Sequence, residues 1–196
     1  MDAFNLSMLL TGQYHEWLLN GLLLSIQLAL MTLVFALPLA VLIAVMRVAP
    51  VALLRGAAMA YVEAVRNVPL LAHMLFWYFG APEFLPDSAK AWLYEGNVEA
   101  TSAVIALVFY TAAYMSEDLR SGLRSIPKEQ MEASRALGFS FLASMRLVIL
   151  PQSLRITVPP LISQTLNLWK NTSIAMVIGV GELMYQAQQV ESASFR

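Results

Sequence analysis

The chain has 196 residues, 59% of them hydrophobic and 13% charged, with a formal net charge of −1. A soluble domain covers its surface with about 25% Asp, Glu, Lys and Arg, so this composition, with a mean hydropathy of +0.64, points to lipid as the main solvent. The slight negative charge argues against a nucleic-acid partner, and the absence of cysteine excludes disulfides, thiol nucleophiles and cysteine metal sites.

The N-terminal tail, MDAFNLSMLLTGQYHEW, carries no Lys or Arg. The basic n-region of a signal peptide is therefore missing, and the first apolar segment is expected to stay in the protein. Trp17 to Met46 is uncharged and exceeds the about 20 apolar residues that a helix needs to cross a bilayer. The first span is placed near 21–45, with Pro38 as a kink. A second span, near 62–80, is irregular: Glu63, Arg66 and Pro69 precede Leu70–Gly80, so a helix there must be broken, tilted or buried against partners. A third lies near 101–115. A fourth, near 159–180, opens at Pro159-Pro160 and contains Lys170. Long blocks without period-2 alternation speak against strands. The fold class is an all-α, multi-pass helical bundle, one transmembrane domain over residues 1–196.

Lys and Arg orient the spans, because cytoplasmic loops retain them. The first loop has Arg47 and Arg55. The second, 81–100, holds Glu83, Asp87, Glu95 and Glu99 against Lys90 alone. The third, 117–155, carries Arg120, Arg124, Lys128, Arg135, Arg146 and Arg155. The N-terminus is thus expected outside, the first and third loops inside, and the second outside, flanked by the interfacial aromatics Trp77, Tyr78, Trp92 and Tyr94. With four spans the C-terminus would also lie outside, and the tail 186–196 shows no cap or stop.

The third loop is the most informative segment. Ser125-Ile126-Pro127 reads as a helix start with Ser125 as N-cap. A short helix over Lys128–Leu137 follows, in which Glu132 and Arg135 can pair at i,i+3. Gly138 fits the left-handed residue that ends a helix. Ser140 can cap a second helix with Phe141, Leu142, Met145 and Ile149 as its apolar stripe, and Pro151 ends the pattern. Such a helix–Gly–helix either offers an apolar ridge to a partner's groove or is a linker hairpin on the membrane domain.

Glu132-Ala133-Ser134, then Gly138, then Val148-Ile149-Leu150-Pro151 resembles the EAA loop of ATP-binding-cassette importer permeases, with Ser134 and Val148 in place of alanine and isoleucine. The resemblance implies the type I importer permease fold and a cytoplasmic coupling helix seated in the ATPase subunit, with Glu132, Ala133, Ser134, Gly138, Leu150 and Pro151 as coupling residues. Tyr61-Val62-Glu63-Ala64-Val65-Arg66-Asn67-Val68-Pro69-Leu70-Leu71, Ser116-Glu117-Asp118-Leu119-Arg120-Ser121-Gly122 and Lys170-Asn171-Thr172-Ser173 resemble segments of the polar amino acid branch. The combination looks most like glutamate/aspartate permeases. What it implies is an inner-membrane translocation subunit working with two ATP-binding subunits, a second permease subunit (itself or a related one), an extracytoplasmic amino-acid-binding protein and membrane lipid. No cofactor is expected on this chain, and ATP-Mg belongs to the partner ATPase. The family usually has five spans, so the chain is expected to lack the fifth.

The remaining residues carry less. His73, among apolar neighbours and without a second ligand, reads as a hydrogen-bonded core histidine rather than a metal site. The methionines read as packing residues. Gly179-Val180-Gly181 has no following basic residue and is no phosphate loop. There is no nucleophile–base set, no paired catalytic carboxylates and no Walker motif, so the chain is not expected to be an enzyme.

Charges inside spans are costly and mark pathways or pairs. Counted from Pro160 as the cytoplasmic start of its span, Lys170 lies about 15 Å deep, near the middle of a core about 30 Å thick. Asn171, Thr172 and Ser173 follow with neutral donors, and Arg66 suits a carboxylate. Lys170 and Arg66 with this polar cluster are expected to line the pathway, with Glu117 among its residues, and to meet an anionic amino acid. Alternatively Lys170 pairs with Glu63 or Glu117 and only holds helices together. A non-transport membrane scaffold or assembly factor with a partner-binding loop remains the other reading of the whole chain. A secondary transporter would need more spans and internal symmetry.

Overall fold

The computed structural model describes residues 11–194, and the N-terminal tail expected outside the membrane falls mostly before them. Among the described residues every regular element is helical. In chain order they are α1 (Gln13–Val48), α2 (Ala52–Arg66), α3 (Leu70–Leu75), α4 (Asp87–Glu95), α5 (Val98–Arg124), α6 (Lys128–Ala136), α7 (Phe141–Ser144), α8 (Leu150–Asn171) and α9 (Leu183–Ser194). A π-helical turn (Phe76–Gly80) and a 3-10 turn (Ala81–Phe84) extend α3, a π-helical turn (Met145–Ile149) joins α7 to α8, and a 3-10 helix (Thr172–Ile178) continues α8. By length and composition three helical stretches can cross a membrane: Gln13–Val48, Val98–Arg124 and Phe141–Ile178.

The chain forms two compact units. The described part of the first comprises residues 11–33, 69–108 and 168–194; the second comprises 34–68 and 109–167. In the first unit α1 buries Gly21, Ser25, Leu28 and Thr32, and in the second Ala36, Ala40, Ile43 and Ala44. That spacing of three and four is one narrow stripe of a helix, and mostly small residues occupy it. The large side chains Leu23, Leu30, Val34, Phe35 and Leu42 point away and are exposed. A soluble helix would reverse this. In lipid, burying bulk gains nothing between helices, so close backbone approach at small residues sets the contact. Gly21 shows it: a Cβ there would come within 2.9 Å of Leu183 Cα. Pro38 lies inside α1 without ending it.

The second expected span is broken. α2 ends at Arg66, with Asn67 as C-cap donating its N–H to Glu63 O at 3.1 Å, and Pro69 precedes α3. A proline supplies no N–H and disfavours helix in the residue before it, so the break falls where the sequence placed it. In α5, by contrast, every residue from 101 to 120 is buried or half-buried.

Four local expectations need correction. Glu117–Arg124 continues α5 rather than starting a loop. Ser125 does not cap α6: its hydroxyl donates to Gly122 O at 2.8 Å, and Pro127 occupies the capping place without a side-chain bond. Glu132 and Arg135 form no ion pair; Arg135 Nη1 donates instead to Phe139 O at 3.0 Å, bracing the turn at Gly138. Finally, neither Pro151 nor Pro159-Pro160 bounds a helix, since Phe141–Ile178 is helical throughout. Pro151 falls at the second residue of α8, and three hydroxyls on this helix donate to carbonyls one turn back, none of them the Arg155 or Ile156 carbonyl that Pro159 and Pro160 leave without an N–H. Ser163 Oγ donates to Pro159 O at 3.3 Å, Thr157 Oγ1 to Ser153 O at 2.8 Å and Thr165 Oγ1 to Leu161 O at 2.9 Å. With the helix starting earlier, the depth of Lys170 can no longer be counted from Pro160.

Candidate functional site: two polar clusters and an exposed ridge

In the second unit, Arg47, Glu63, Arg66, Asn67, Tyr114 and Glu117 line a polar cavity of about 280 Å³. Glu117, two turns before the end of α5, receives Arg120 through Nε at 3.1 and 3.0 Å and through a close Nη2 contact. Arg47 Nη1 approaches the same carboxylate at 3.5 Å. The Arg66 guanidinium sits 5.0 Å from the centroid of the Tyr114 ring, a cation–π distance. Tyr61 from α2 donates its hydroxyl to Phe109 O at 2.6 Å, which helps hold α2 against α5.

In the first unit, Ser25, Trp169, Lys170, Thr172, Ser173 and Glu182 are among the residues lining a mostly apolar cavity of about 490 Å³. Lys170, the last residue but one of α8, is exposed and makes no ion pair with the described residues of its unit. Thr172 and Ser173 are not the free neutral donors expected from the sequence: they spend their hydroxyl protons locally, on Trp169 O at 2.7 Å and Lys170 O at 2.7 Å, and keep only oxygen lone pairs to accept. Asn171 is half-buried beside them. Glu182, on the same lining, is 1% exposed. On the loop of this unit, Lys90 donates to Glu83 at 2.7 Å, and that hydrogen bond raises the Lys90 pKa above its ordinary value.

The structure thus brings Arg66 and Glu117 into one cluster and Lys170, Thr172 and Ser173 into another, each within its own unit. Sequence reasoning missed Arg47, Tyr114, Ser25 and Glu182. Arg47 read only as a topology marker, because a cation at a span end is ordinary. Ser25 and Glu182 are 157 positions apart and share no local pattern. The one available signal was Gly21 and Ser25 at i,i+4, a small-residue spacing typical of close helix contact.

The third-loop segment is a helical hairpin. Gly138 has φ +86°, and Phe139 N–H donates to Ser134 O at 3.2 Å, the 6→1 bond of a Schellman turn. Ser140 Oγ caps α7 by accepting from Ala143 N–H at 3.2 Å. Ser134 is buried, and its hydroxyl donates to Met131 O at 2.8 Å; Glu132 and Ala133 are exposed, as are Leu150 and Pro151 at the start of α8. Leu137 (79% exposed), Phe141 (63%) and Leu142 (75%) form an uncovered apolar ridge. Among the described residues no group of three or more His, Asp or Glu could hold a metal ion.

Residues 36–195 match the family described as binding-protein-dependent transport system inner membrane component. The chain is 40% identical over 190 residues to the probable glutamine ABC transporter permease protein GlnM of Bacillus subtilis (strain 168), covering 97% of this chain and 80% of that protein. It is 33% identical over 178 residues to the glutamate/aspartate import permease protein GltJ of Escherichia coli (strain K12), covering 89% and 72%. A crystal structure of an amino acid ABC transporter with histidines superposes with a TM-score of 0.84 at 28% identity, covering 100% of this chain and 86% of that one. The MetNI methionine ABC transporter in inward-facing conformations shares the fold at a TM-score of 0.69 and 21% identity. The chain belongs to the binding-protein-dependent transport system inner membrane components. It is a multi-pass, all-α permease subunit of the type I importer fold.

Proposed function

We propose that this permease is the translocation subunit of an ATP-driven importer of polar amino acids, with glutamate or aspartate as cargo. Its chemistry is passage and coupling, and hydrolysis of ATP-Mg belongs to two partner subunits. The observation that carries the cargo assignment is Lys170, an exposed cation at the cavity of the first unit, followed by Asn171, Thr172 and Ser173. An ammonium held among apolar helices is costly unless it meets an anion, and a side-chain carboxylate supplies one. The related glutamine and glutamate/aspartate permeases support a polar cargo of this size.

Coupling falls to the hairpin of α6 and α7. Leu137, Phe141 and Leu142 offer an apolar ridge with Glu132 beside it, and a hairpin locked by Gly138 can transmit displacement to α8 without a joint, because the helix is continuous from Phe141. ATP closing two partner ATPases would then bias the helices between inward- and outward-facing states. A second permease subunit completes the pathway, an extracytoplasmic binding protein delivers the cargo, and the N-terminus lies outside.

Reconstitution tests this reading. Proteoliposomes holding the permease, its ATPase and its binding protein should take up labelled glutamate only with ATP and binding protein together. Lys170→Gln should lower that uptake by about tenfold or more, the scale of one lost charge-assisted contact, while the complex assembles normally. Uptake independent of ATP, or a Lys170→Gln chain that fails to assemble and is rescued by neutralising a partner acid, would overturn it.

A further inference from the structure

The polar cavity of the second unit holds more charge than its internal contacts use. Glu117 is committed to Arg120 on both carboxylate oxygens. Arg47 is left with one long approach to the same group at 3.5 Å; its side chain is 11% exposed, and its Nη1 is buried without a hydrogen-bond partner among the described residues. A buried guanidinium donor without an acceptor is unusual, because the desolvation of the N–H is then uncompensated. Arg66 lies on the same cavity with its ring contact to Tyr114 and no ion pair among the described residues. Glu63, also on the wall, is exposed and equally without an ion pair there.

Two under-used guanidiniums and one free carboxylate around about 280 Å³ of space form a donor set for a zwitterion. The volume sits just below the roughly 300–1,000 Å³ of drug-sized pockets, which suits a small charged guest. Planar guanidinium forks match a carboxylate in two-point geometry, and Glu63 can accept from an ammonium. We infer that this cavity is a binding station for a free α-amino acid, its carboxylate held by Arg47 and Arg66 and its α-ammonium by Glu63. It is separate from the Lys170 cluster and recognises the backbone groups common to all amino acids rather than a side chain. Arg47 stands in the last turn of α1 and Glu117 about two turns before the end of α5, beside the loops richest in Lys and Arg. The station therefore faces the cytoplasm, where cargo leaves. The inference rests on the importer reading for the class of guest.

The experiment is equilibrium binding of labelled L-glutamate, L-glutamine and amine-free glutarate to the permease–ATPase complex in lipid nanodiscs, without ATP or binding protein. Saturable binding of both amino acids is expected. Arg47→Gln should weaken glutamate and glutarate alike by tenfold or more. Glu63→Gln should weaken the amino acids by a similar factor and leave glutarate unchanged or tighter. In Lys170→Gln the binding component that Arg47→Gln and Glu63→Gln weaken should persist, whatever is lost at the Lys170 cluster itself. Absence of saturable amino-acid binding, insensitivity to Arg47→Gln and Glu63→Gln, or parallel loss of glutamate and glutarate in Glu63→Gln would each overturn the station. If Arg47→Gln does not copurify with the ATPase, the exposed Glu63→Gln decides alone. Binding lost only in Lys170→Gln would overturn the station and leave the importer standing; binding as expected with no ATP-driven uptake would do the reverse.

Discussion

Glu182 puts a carboxylate, 1% exposed, at the N-terminus of α9. Met184 and Tyr185 donate their backbone N–H groups to it at 3.0 and 2.9 Å, and Ser25 Oγ donates at 3.4 Å. Ser25 Oγ in turn accepts from Leu183 N–H at 3.1 Å. One acid therefore satisfies two of the orphan donors of a helix start, favours its dipole and, through Ser25, ties α9 to α1. A cap is worth about 0.5–2 kcal/mol, and a stranded buried donor costs about 1–3 kcal/mol. Glu182→Ala should lower the melting temperature of the purified complex by several degrees, and Glu182→Gln, which keeps an acceptor, by clearly less. Equal losses in the two variants would show that the acceptor is not what matters. None of this was legible beforehand, because the cap lies just past Gly179-Val180-Gly181, which read only as a weak glycine cluster. Gly179 proves to be a second left-handed turn, φ +89°, with Val180 N–H on Ala175 O at 3.2 Å, and it aims the chain into α9.

Helix ends were less legible than helix centres. Gly138 was read correctly as a left-handed stop because few other residues tolerate that conformation. Ser140 was read correctly as a cap for a similar reason: its short side chain reaches the N–H three residues on. The prolines misled, since in water they break helices, whereas lipid's intolerance of bare backbone favours the continuous helix over Phe141–Ile178. Apolar periodicity also hid which face packs, because the packed face carries the small residues. The tightest case lies in the second unit, where a Cβ on Gly122 of α5 would overlap Thr157 Oγ1 of α8 and come within 3.4 Å of Ser153 O. Overpacking of this kind costs about 1–3 kcal/mol. Gly122→Ala should therefore reduce assembly and thermal stability, and Thr157→Ala added to it should recover most of the loss. A double mutant no better than Gly122→Ala would place the strain elsewhere, since coupled neighbours must show non-additivity.

At the scale of the molecule, composition alone fixed lipid as the solvent, and the family motifs fixed the fold, because both are properties of the whole chain rather than of one boundary. The pathway was harder to read. Sequence grouped Arg66 with Lys170 on charge, whereas the structure gives each its own cavity, and spatial neighbours such as Arg47 and Glu117 are 70 positions apart. Orientation in the membrane is the remaining whole-molecule statement, and it rests on Lys and Arg counts. The cysteine-free chain suits a direct test. Asp87 opens α4 and Lys128 opens α6, and both side chains are at least partly open to solvent in their own units, Asp87 and Lys128 being exposed. A cysteine at either position is thus reachable by a thiol reagent, so a failure to label reports the membrane and not burial. In intact cells, Asp87→Cys should react with a membrane-impermeant maleimide. Lys128→Cys should react only after the membrane is permeabilised. Reaction at position 128 in intact cells, with position 87 protected, would invert the topology. It would carry the ridge of Leu137, Phe141 and Leu142 to the side without ATP, and the coupling role proposed for it would fall with the orientation.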